Sequence, residues 1–192
     1  YFSFGSETFL SREEREEMAY GLELSNANFI WVVRFPVGHA IALEEALPQG
    51  FLERVKERGV VLDGWAPQAK ILEHPSTGGF VSHCGWSSFI ESIYYGVPLL
   101  ALPMLYDQPW NARLAVEIGV GTEILKDENG QIKREEVAKV IKQVVVEKKE
   151  LGELLIQNAK ELSHKFREGG EEELHEAVDK LRNLCSKNKW QE

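Results

Sequence analysis

Short apolar runs alternate with amphipathic, helix-like runs along almost the whole chain. The clearest example is the apolar run at residues 79–82, which leads directly into a helix-like run at residues 86–95. Alternation of this kind is the pattern of βα units wound around a parallel sheet. We therefore predict an α/β fold, a Rossmann-like parallel sheet with helices on both faces.

Local signals place the individual strands and the first helices. The predicted strands are residues 1–4, 29–34, 59–63, 79–82, 98–104 and 121–124. Ser11 followed by Glu14 predicts a capping box at the start of the first helix. Pro109 suits the first turn of a further helix, which we expect to end at Gly119.

Two stretches do not follow the simple alternation. The residues around Gly38 and Pro48 have no clear periodicity and predict a long loop, a feature that is often functional. Everything after Lys133 is charged and helical, and the Gly169-Gly170 pair predicts a break before a final helix. One face of the first of these helices carries the apolar residues Val137, Val140, Ile141 and Val144.

Length and composition restrict the class of protein. A chain of 192 residues with 43% hydrophobic residues predicts one globular domain over residues 1–192, with a C-terminal helix at 170–192. The net charge of -9 argues against nucleic acid or an anionic membrane as the main ligand. Neither a signal peptide nor an apolar run of about 18 residues is present, so no membrane association is expected.

The two cysteines, Cys84 and Cys185, show no pairing pattern, so neither a disulfide framework nor a zinc site is predicted. A reducing, cytoplasmic location fits this cysteine usage. Because the chain opens with a strand-like run and has no initiator Met, we expect it to be a piece of a longer protein.

Candidate functional residues follow the predicted strands. In open parallel sheets, ligands bind beyond the carboxyl ends of the strands. The residues found there are Gly5, Ser6, Trp65, Pro67, Gln68, His83, Gly85, Trp86, Ser87, Ser88, Asp107 and Gln108. The helix that follows Gly85 offers unpaired N–H groups and a positive dipole end, which suit a diphosphate.

The other side chains complement such a ligand. His83 can donate to a phosphate oxygen, Trp65 can stack on a base, and Glu91 can accept from ribose hydroxyls. Asp107 and Gln108 are of the type that binds sugar hydroxyls. Taken singly, each has an ordinary structural explanation: a satisfied histidine, a core tryptophan, an exposed helical glutamate or a helix cap. Their convergence on one edge of a sheet favours a nucleotide or sugar nucleotide.

Other binding chemistries find no support in the sequence. No His, Cys, Asp and Glu residues have metal-ligand spacing, and no GxxxxGK[ST] loop is present. The remaining histidines are expected to be turn or solvated residues; they are His39, His74, His164 and His175.

The segment from Trp65 to Gln108 resembles the signature box of plant UDP-glycosyltransferases. It contains W-A-P-Q, L-E-H-P, G-G-F-V-S-H-C-G-W-S-S, E-S, G-V-P-L-L-A-L-P and D-Q in that order. The flanking sequence, from Tyr1 to about Leu184, also resembles the donor-binding half of these enzymes. The resemblance implies the C-terminal domain of a two-domain GT-B enzyme of plant secondary metabolism, one that inverts the anomeric configuration without a metal or other cofactor.

The resemblance also implies a role for each site residue. UDP would be bound by Ser6, Trp65, Ala66, Gln68, His83, Ser87, Ser88 and Glu91. Trp65 and the Ala66 backbone would contact uracil, and Gln68 and Glu91 would bind ribose. The hexose would be contacted by Trp86, Asp107 and Gln108, and Gln108 at the end of the box is typical of UDP-glucose donors.

One position departs from the family pattern. Ser87 stands where the family usually has Asn, so a shorter side chain must reach the phosphate or leave it to water. H-C-G-W-S-S, together with F-I-W-V-V-R-F-P before the long loop, resembles the subgroup that adds a sugar to a sugar already attached to a small molecule. The resemblance therefore implies a glycoside as acceptor.

No catalytic residue is expected in this chain. In the family, a histidine steadied by an aspartate in the N-terminal half removes the proton of the acceptor. Two functions remain open: a glucosyltransferase completed by that half, as a separate chain or a missing segment, or an isolated UDP-sugar-binding module without turnover. A Rossmann-like domain for another nucleotide is disfavoured because no GxGxxG turn follows a strand.

The C-terminal helix bears on the same question. In the family this helix packs back on the N-terminal domain. The resemblance therefore predicts an interdomain role for Leu181, Leu184 and Trp190. Without a partner, these apolar side chains would be exposed.

Overall fold

The computed structural model describes residues 1–187 and contains one six-stranded, wholly parallel sheet. The strands are β1 (Phe2–Ser3), β2 (Phe29–Val32), β3 (Gly59–Leu62), β4 (Phe80–Ser82), β5 (Leu99–Ala101) and β6 (Gly121–Glu123). Their spatial order is β3-β2-β1-β4-β5-β6. This is the strand order of the Rossmann fold, and it confirms the predicted fold class.

The helices follow the strands in the expected alternation. They are α1 (Arg12–Ser25), α2 (Leu43–Ala46), α3 (Phe51–Val55), α4 (Gln68–Glu73), α5 (Trp86–Tyr95), α6 (Gln108–Glu117), α7 (Arg134–Ile141) and α8 (Glu150–Lys187). A π-helical segment, Lys142–Val146, directly follows α7 and precedes α8. The predicted capping box is confirmed: Ser11 accepts from the Glu14 N–H, and the Glu14 carboxylate accepts from the Ser11 N–H.

The sheet is covered on both faces, because neighbouring residues of its central strands enter different cores. Phe80 and Leu99 belong to one core, which also receives Phe89 from α5. Val81 and Leu100 belong to the other, on the side of α1 and α7. Side chains alternate between the two faces of a strand, so near-continuous apolar strands require helices on both sides.

All six predicted strands extend beyond the observed hydrogen-bonded ladder. The run predicted at 98–104 is a strand only at Leu99–Ala101. Leu102 is nevertheless completely buried. Burial of an apolar run and its pairing in the ladder are separate properties, and only the first can be read from hydrophobicity.

Two expectations are corrected by the structure. The long loop around Gly38 and Pro48 contains α2 and α3, and Phe51 and Val55 of α3 are core residues. The break predicted at Gly169-Gly170 is wrong, because α8 is continuous from Glu150 to Lys187. Each helical glycine costs only about 1 kcal/mol relative to alanine, which the surrounding helix-forming residues can offset.

The second half of α8 projects from the domain. Arg167 still contacts α5, where it donates to the carbonyl of Tyr94. Leu174, Leu181 and Leu184 lie beyond that contact and are exposed, as the sequence predicted for the two later leucines. Trp190, which was grouped with them, lies outside the described residues. The proposed packing of this helix on another domain stays a prediction.

Candidate functional site

The predicted site residues gather at the carboxyl edge of the sheet. Because all six strands are parallel, the loops after β1, β3, β4 and β5 emerge at this edge. The strand order reverses between β1 and β4, and a ligand crevice forms at such a reversal. The loops that carry Gly5 and His83 therefore flank the centre of the site.

The N-terminus of α5 is open. Gly85 precedes the helix and provides no side-chain cap. The first internal bond runs from the Phe89 N–H to the Gly85 carbonyl, at 2.9 Å. Within residues 1–187, the N–H groups of residues 85–88 have no protein acceptor. These donors and the helix dipole form a site for an anion such as a phosphate.

The ring of His83 is held between two glycines. A Cβ atom on Gly5 would lie 2.8 Å from Cε1 and Nε2 of the ring, and one on Gly85 would lie 2.6 Å from Nε2. Neither position can therefore carry a side chain while the ring stays in place. Gly5 also has φ +75°, which favours glycine. The two glycines direct His83 towards the open end of α5.

The electrostatic state of the site follows from burial. Burial lowers the pKa of His83 below its ordinary value, and the negative charge of Asp107 acts in the opposite direction. The imidazole is therefore neutral near pH 7 and can donate through one ring nitrogen. Burial also raises the pKa of the Cys84 thiol to about 12, so this cysteine is not a nucleophile at neutral pH.

Cys84 has a structural role in the turn into α5. Its φ of +65° is unusual for a residue other than glycine. Its N–H donates to the Ser82 hydroxyl at 3.1 Å, and its Sγ lies 3.4 Å from the Ser82 carbonyl. These contacts stabilise the sharp turn between β4 and the helix.

A polar cluster connects α4 with α5. The side-chain amide of Gln68 donates to Glu91 Oε2 at 2.8 Å and to Ser88 Oγ at 3.3 Å. Tyr1 Oη lies 3.5 Å from Gln68 Oε1, at the limit of a hydrogen bond. Gln68, Ser88 and Glu91, predicted from separate parts of the sequence, are thus brought together. The cluster offers carboxylate and hydroxyl oxygens that suit a diol.

Trp65 lies on the loop between β3 and α4, three residues before Gln68 of this cluster. The residue is 79% exposed, so its indole is not a core group and has a face available for stacking. The loop is fixed on both sides of Trp65: Arg34 donates to the Gly64 carbonyl at 3.1 Å, and the Gln68 N–H donates to the Ala66 carbonyl at 2.8 Å.

The loop between β5 and α6 carries the predicted sugar residues. Gln108 is buried, and its Oε1 accepts from the N–H groups of Met104 and Leu105, at 2.9 and 2.8 Å. The side-chain nitrogen of Gln108 donates to no described residue, so this nitrogen remains available as a donor to a ligand. Asp107 is exposed and makes no side-chain cap on α6, so the simple capping explanation fails.

The other assigned residues lie around the same edge with different exposure. Ser6 and Ser87 are exposed. Trp86 is half exposed and packs on Phe89, with ring centroids 5.4 Å apart. The structure therefore brings the assigned residues to one edge. Their individual ligand contacts stay predictions.

Two residues of the site were not predicted from the sequence. Arg34 holds the loop before Trp65, as described above. Asn111, on α6, donates to the Cys84 carbonyl and to Asp107 Oδ2. Arg34 lies in the F-I-W-V-V-R-F-P run, which indicated the acceptor subgroup and gave Arg34 no role in the site. Asn111 lies outside the motifs quoted above. The spacing of four residues between Asp107 and Asn111, which places them on neighbouring helical turns, was the one available signal.

A separate cavity of about 480 Å³ lies at the opposite, amino edge of the sheet. Its lining includes Tyr1, Phe29 and Gly79. Its charged neighbours are already engaged, since Arg58 donates to the carbonyls of α1 and its following turn, and Lys70 pairs with Glu73. The polar groups suited to a nucleotide are therefore at the carboxyl edge, away from this cavity.

The described residues hold neither a group of metal ligands nor a membrane-spanning helix. No three His, Cys, Asp or Glu side chains in the described part of the chain are grouped as metal ligands. Among residues 1–187, no helix has both the length and the apolarity to cross a bilayer.

The parallel sheet, its strand order and the open helix end beside His83 define a Rossmann-like domain with unpaired N–H donors at its switch point. Comparison with known proteins identifies the family within this class. The family model "UDP-glucoronosyl and UDP-glucosyl transferase" matches residues 1–178. The chain belongs to this family, and its plant members are the relatives described next.

Three proteins illustrate the relationship. The chain is 54% identical over 189 residues to UDP-glucosyltransferase 29 of Panax ginseng, covering 98% of this chain and 42% of that protein. It is 61% identical over 146 residues to the beta-D-glucosyl crocetin beta-1,6-glucosyltransferase of Gardenia jasminoides, covering 76% and 33%. The structure of Phytolacca americana UGT2, complexed with UDP-2fluoro-glucose and pterostilbene, superposes on this chain with a TM-score of 0.77 and 40% sequence identity. The superposition covers 85% of this chain and 36% of that chain.

The chain corresponds to only part of each of these proteins. The chain spans 42% or less of these relatives' lengths. The match confirms the predicted family and the GT-B, Rossmann-like class of the domain.

Proposed function

We propose that this chain binds a UDP-sugar at the carboxyl edge of its sheet and forms the donor-binding half of a glycosyltransferase. One observation carries the proposal: the open N-terminus of α5 and the ring of His83 converge at the β1–β4 switch point. A diphosphate there accepts hydrogen bonds from backbone N–H groups and the imidazole.

The remaining parts of the nucleotide fit around this position. The exposed indole of Trp65 stacks on uracil, and the Ala66 backbone lies beside it. Gln68 and Glu91 receive the ribose hydroxyls, since a carboxylate and an amide next to each other can accept and donate at once. Ser6, Ser87 and Ser88 complete the diphosphate site by donating from hydroxyl groups.

We assign the sugar to the loop after β5, where Trp86, Asp107 and Gln108 contact the hexose. Because Gln108 Oε1 is already bonded to two backbone N–H groups, Gln108 acts on the sugar as a donor only. Asp107 supplies the complementary acceptor. This donor-acceptor pair, together with the resemblance stated for Gln108, supports glucose as the transferred sugar.

The proposed reaction joins the hexose to a hydroxyl of a small molecule. The acceptor oxygen forms a bond to the anomeric carbon while the bond to the diphosphate breaks, which inverts the configuration and releases UDP. The donors around α5 stabilise the charge that grows on the leaving diphosphate, by a few kcal/mol per donor in typical cases. No metal ion or other cofactor is part of this proposal.

The base that removes the acceptor's proton is assigned to another half of the assembly. In the described part of the chain, His83 makes no hydrogen bond to a carboxylate, so it is not steadied as a general base. We therefore propose that turnover requires an N-terminal, acceptor-binding half and that this chain alone is inactive. The Gardenia relative, whose name gives a glucosylated acceptor, supports a glycoside acceptor here.

The proposal is tested by titrating the chain with UDP and with UDP-glucose in a calorimeter. We expect saturable binding, weakened about tenfold or more by Trp65→Ala, since stacking on a base contributes about 1–3 kcal/mol. Trp110→Ala is the matched control, because Trp110 is also 79% exposed but lies on α6, away from the β3–α4 loop. It should leave the affinity for UDP unchanged.

Two results would contradict the proposal. Absence of UDP binding by the unmodified chain at millimolar ligand would remove the donor site from this chain. An equal loss of affinity in the two tryptophan variants would remove the assignment of uracil to Trp65.

A further inference from the structure

Asn111 occupies a buried position between two loops of the site. It lies in α6, with only 7% of its surface exposed. Its side-chain nitrogen donates to the Cys84 carbonyl at 2.9 Å and to Asp107 Oδ2 at 3.0 Å. An amide nitrogen carries two hydrogens, so both are used. One side chain thus connects the turn before α5 with the loop after β5.

The bond to Cys84 affects the anion site. The helix begins at Trp86, so the Ser88 N–H is one of the first N–H groups of α5, which have no acceptor within the helix. The left-handed conformation of Cys84 turns its carbonyl towards Asn111, and this bond fixes the turn that carries these open N–H groups. Because C=O and N–H point in opposite directions across a trans peptide, the same bond also directs the Gly85 N–H away from Asn111.

The bond to Asp107 affects the sugar site. Asp107 is exposed, so its carboxylate would otherwise rotate freely in solvent. Asn111 holds Oδ2, and no described residue donates to Oδ1, which remains available to a sugar hydroxyl. Hydrogen bonds to a charged group are stronger than those between neutral groups. Asn111 therefore orients the carboxylate as well as the turn.

We propose that Asn111 is a positioning residue that fixes the sugar-binding carboxylate relative to the diphosphate-binding N–H groups. It acts through Asp107 and Cys84 and does not touch the donor. The proposal rests on the proposed function, since it requires that the diphosphate and the sugar of one donor bind at these two loops.

The test measures dissociation constants of the full 192-residue chain for UDP and UDP-glucose. The ratio Kd(UDP)/Kd(UDP-glucose) reports the contribution of the sugar. Asn111→Ala should lower this ratio about tenfold, a change expected when a charged hydrogen-bond acceptor loses its partner. Asn111→Leu keeps the approximate volume, removes the amide donors and adds no charge; it replaces the alanine variant if that one does not fold.

A double-mutant cycle separates positioning from a structural effect. Asp107→Ala should lower the ratio by itself, and adding Asn111→Ala should lower it no further. The affinity for UDP alone should still fall in the double variant, because the bond to Cys84 is also lost. Asn158→Ala is the matched control: Asn158 donates to the Gly119 carbonyl at 2.9 Å, at the far end of α6. It should destabilise the fold but leave the ratio unchanged.

The outcomes distinguish this inference from the proposed function. An unmodified chain that binds neither ligand would overturn the proposed function. Binding by the unmodified chain with an unchanged ratio in the Asn111 variants would overturn only the role of Asn111. Equal effects of Asn111→Ala and Asn158→Ala, or additive effects of Asn111→Ala and Asp107→Ala, would do the same.

Discussion

At the scale of single residues, the site depends on Gly5 and Gly85, which have no side chain, as much as on the side chains around them. The ring of His83 fills the space that a side chain on Gly5 or Gly85 would need. Gly85 has φ -57°, so alanine there is not excluded by the backbone conformation. The steric effect of a methyl group at Gly85 can therefore be measured without backbone strain.

We predict that Gly85→Ala destabilises the chain by about 1–3 kcal/mol, the usual cost of overpacking. The same substitution in the His83→Ala background should cost much less, because the ring is gone. Chemical denaturation of the four proteins measures this coupling. Additive effects of the two substitutions would show that the ring does not lie against Gly85.

Some residues of the site could be predicted from the sequence and others could not. His83 and Trp65 were predicted because their residue types suit a nucleotide and they follow predicted strands, and Glu91 because it lies one helical turn beyond Ser87 and Ser88. Asn111 did not, since its role depends on a positive φ at Cys84 and a contact between two loops. Neither the backbone angle nor the contact is encoded in a local pattern.

At the scale of secondary-structure elements, alternation of apolar and amphipathic runs predicted the parallel sheet and all six strands. The helix α5 was predicted with its observed bounds, and Gly85 and Gly96 enclose it in the structure. Strand ends were less predictable, since burial continues past the ladder at Leu102. The break predicted within α8 is wrong because the helix-forming residues around the two glycines offset their low helix propensity.

The glycine pair of α8 gives a test at this scale. A Cβ on Gly169 or Gly170 would meet no atom within 4 Å. Replacing both with alanine should increase stability by about 0.5–1 kcal/mol per residue, through the lower entropy of the unfolded chain. We expect the gain as slower amide hydrogen exchange in residues 168–187. Faster exchange in the double variant would contradict a continuous helix.

At the scale of the whole molecule, the two edges of the sheet have different characters. The carboxyl edge presents open N–H groups, a neutral histidine and exposed tryptophans. The amino edge presents the cavity beside Tyr1, whose charged neighbours are already paired. Ligand binding should therefore affect one edge and leave the other unchanged.

Hydrogen exchange with and without saturating UDP-glucose tests this asymmetry. We predict slower exchange in residues 64–68 and 83–91, because the ligand covers their loops and N–H groups. Residues 27–30 and 76–79, which border the cavity, should exchange at the same rate. Protection confined to the cavity would place the ligand at the wrong edge for the proposed function.

The length of α8 has a mechanical consequence. Its 38 residues extend about 57 Å at roughly 1.5 Å per residue. Beyond Arg167 it is a lever about 30 Å long, whose pivot touches the C-terminal end of α5 through the Tyr94 carbonyl. A tilt of about 10° at the pivot would displace the tip by about 5 Å. A small tilt of α8 caused by a shift of α5, the helix proposed to hold the diphosphate, would thereby be amplified at the far end of α8.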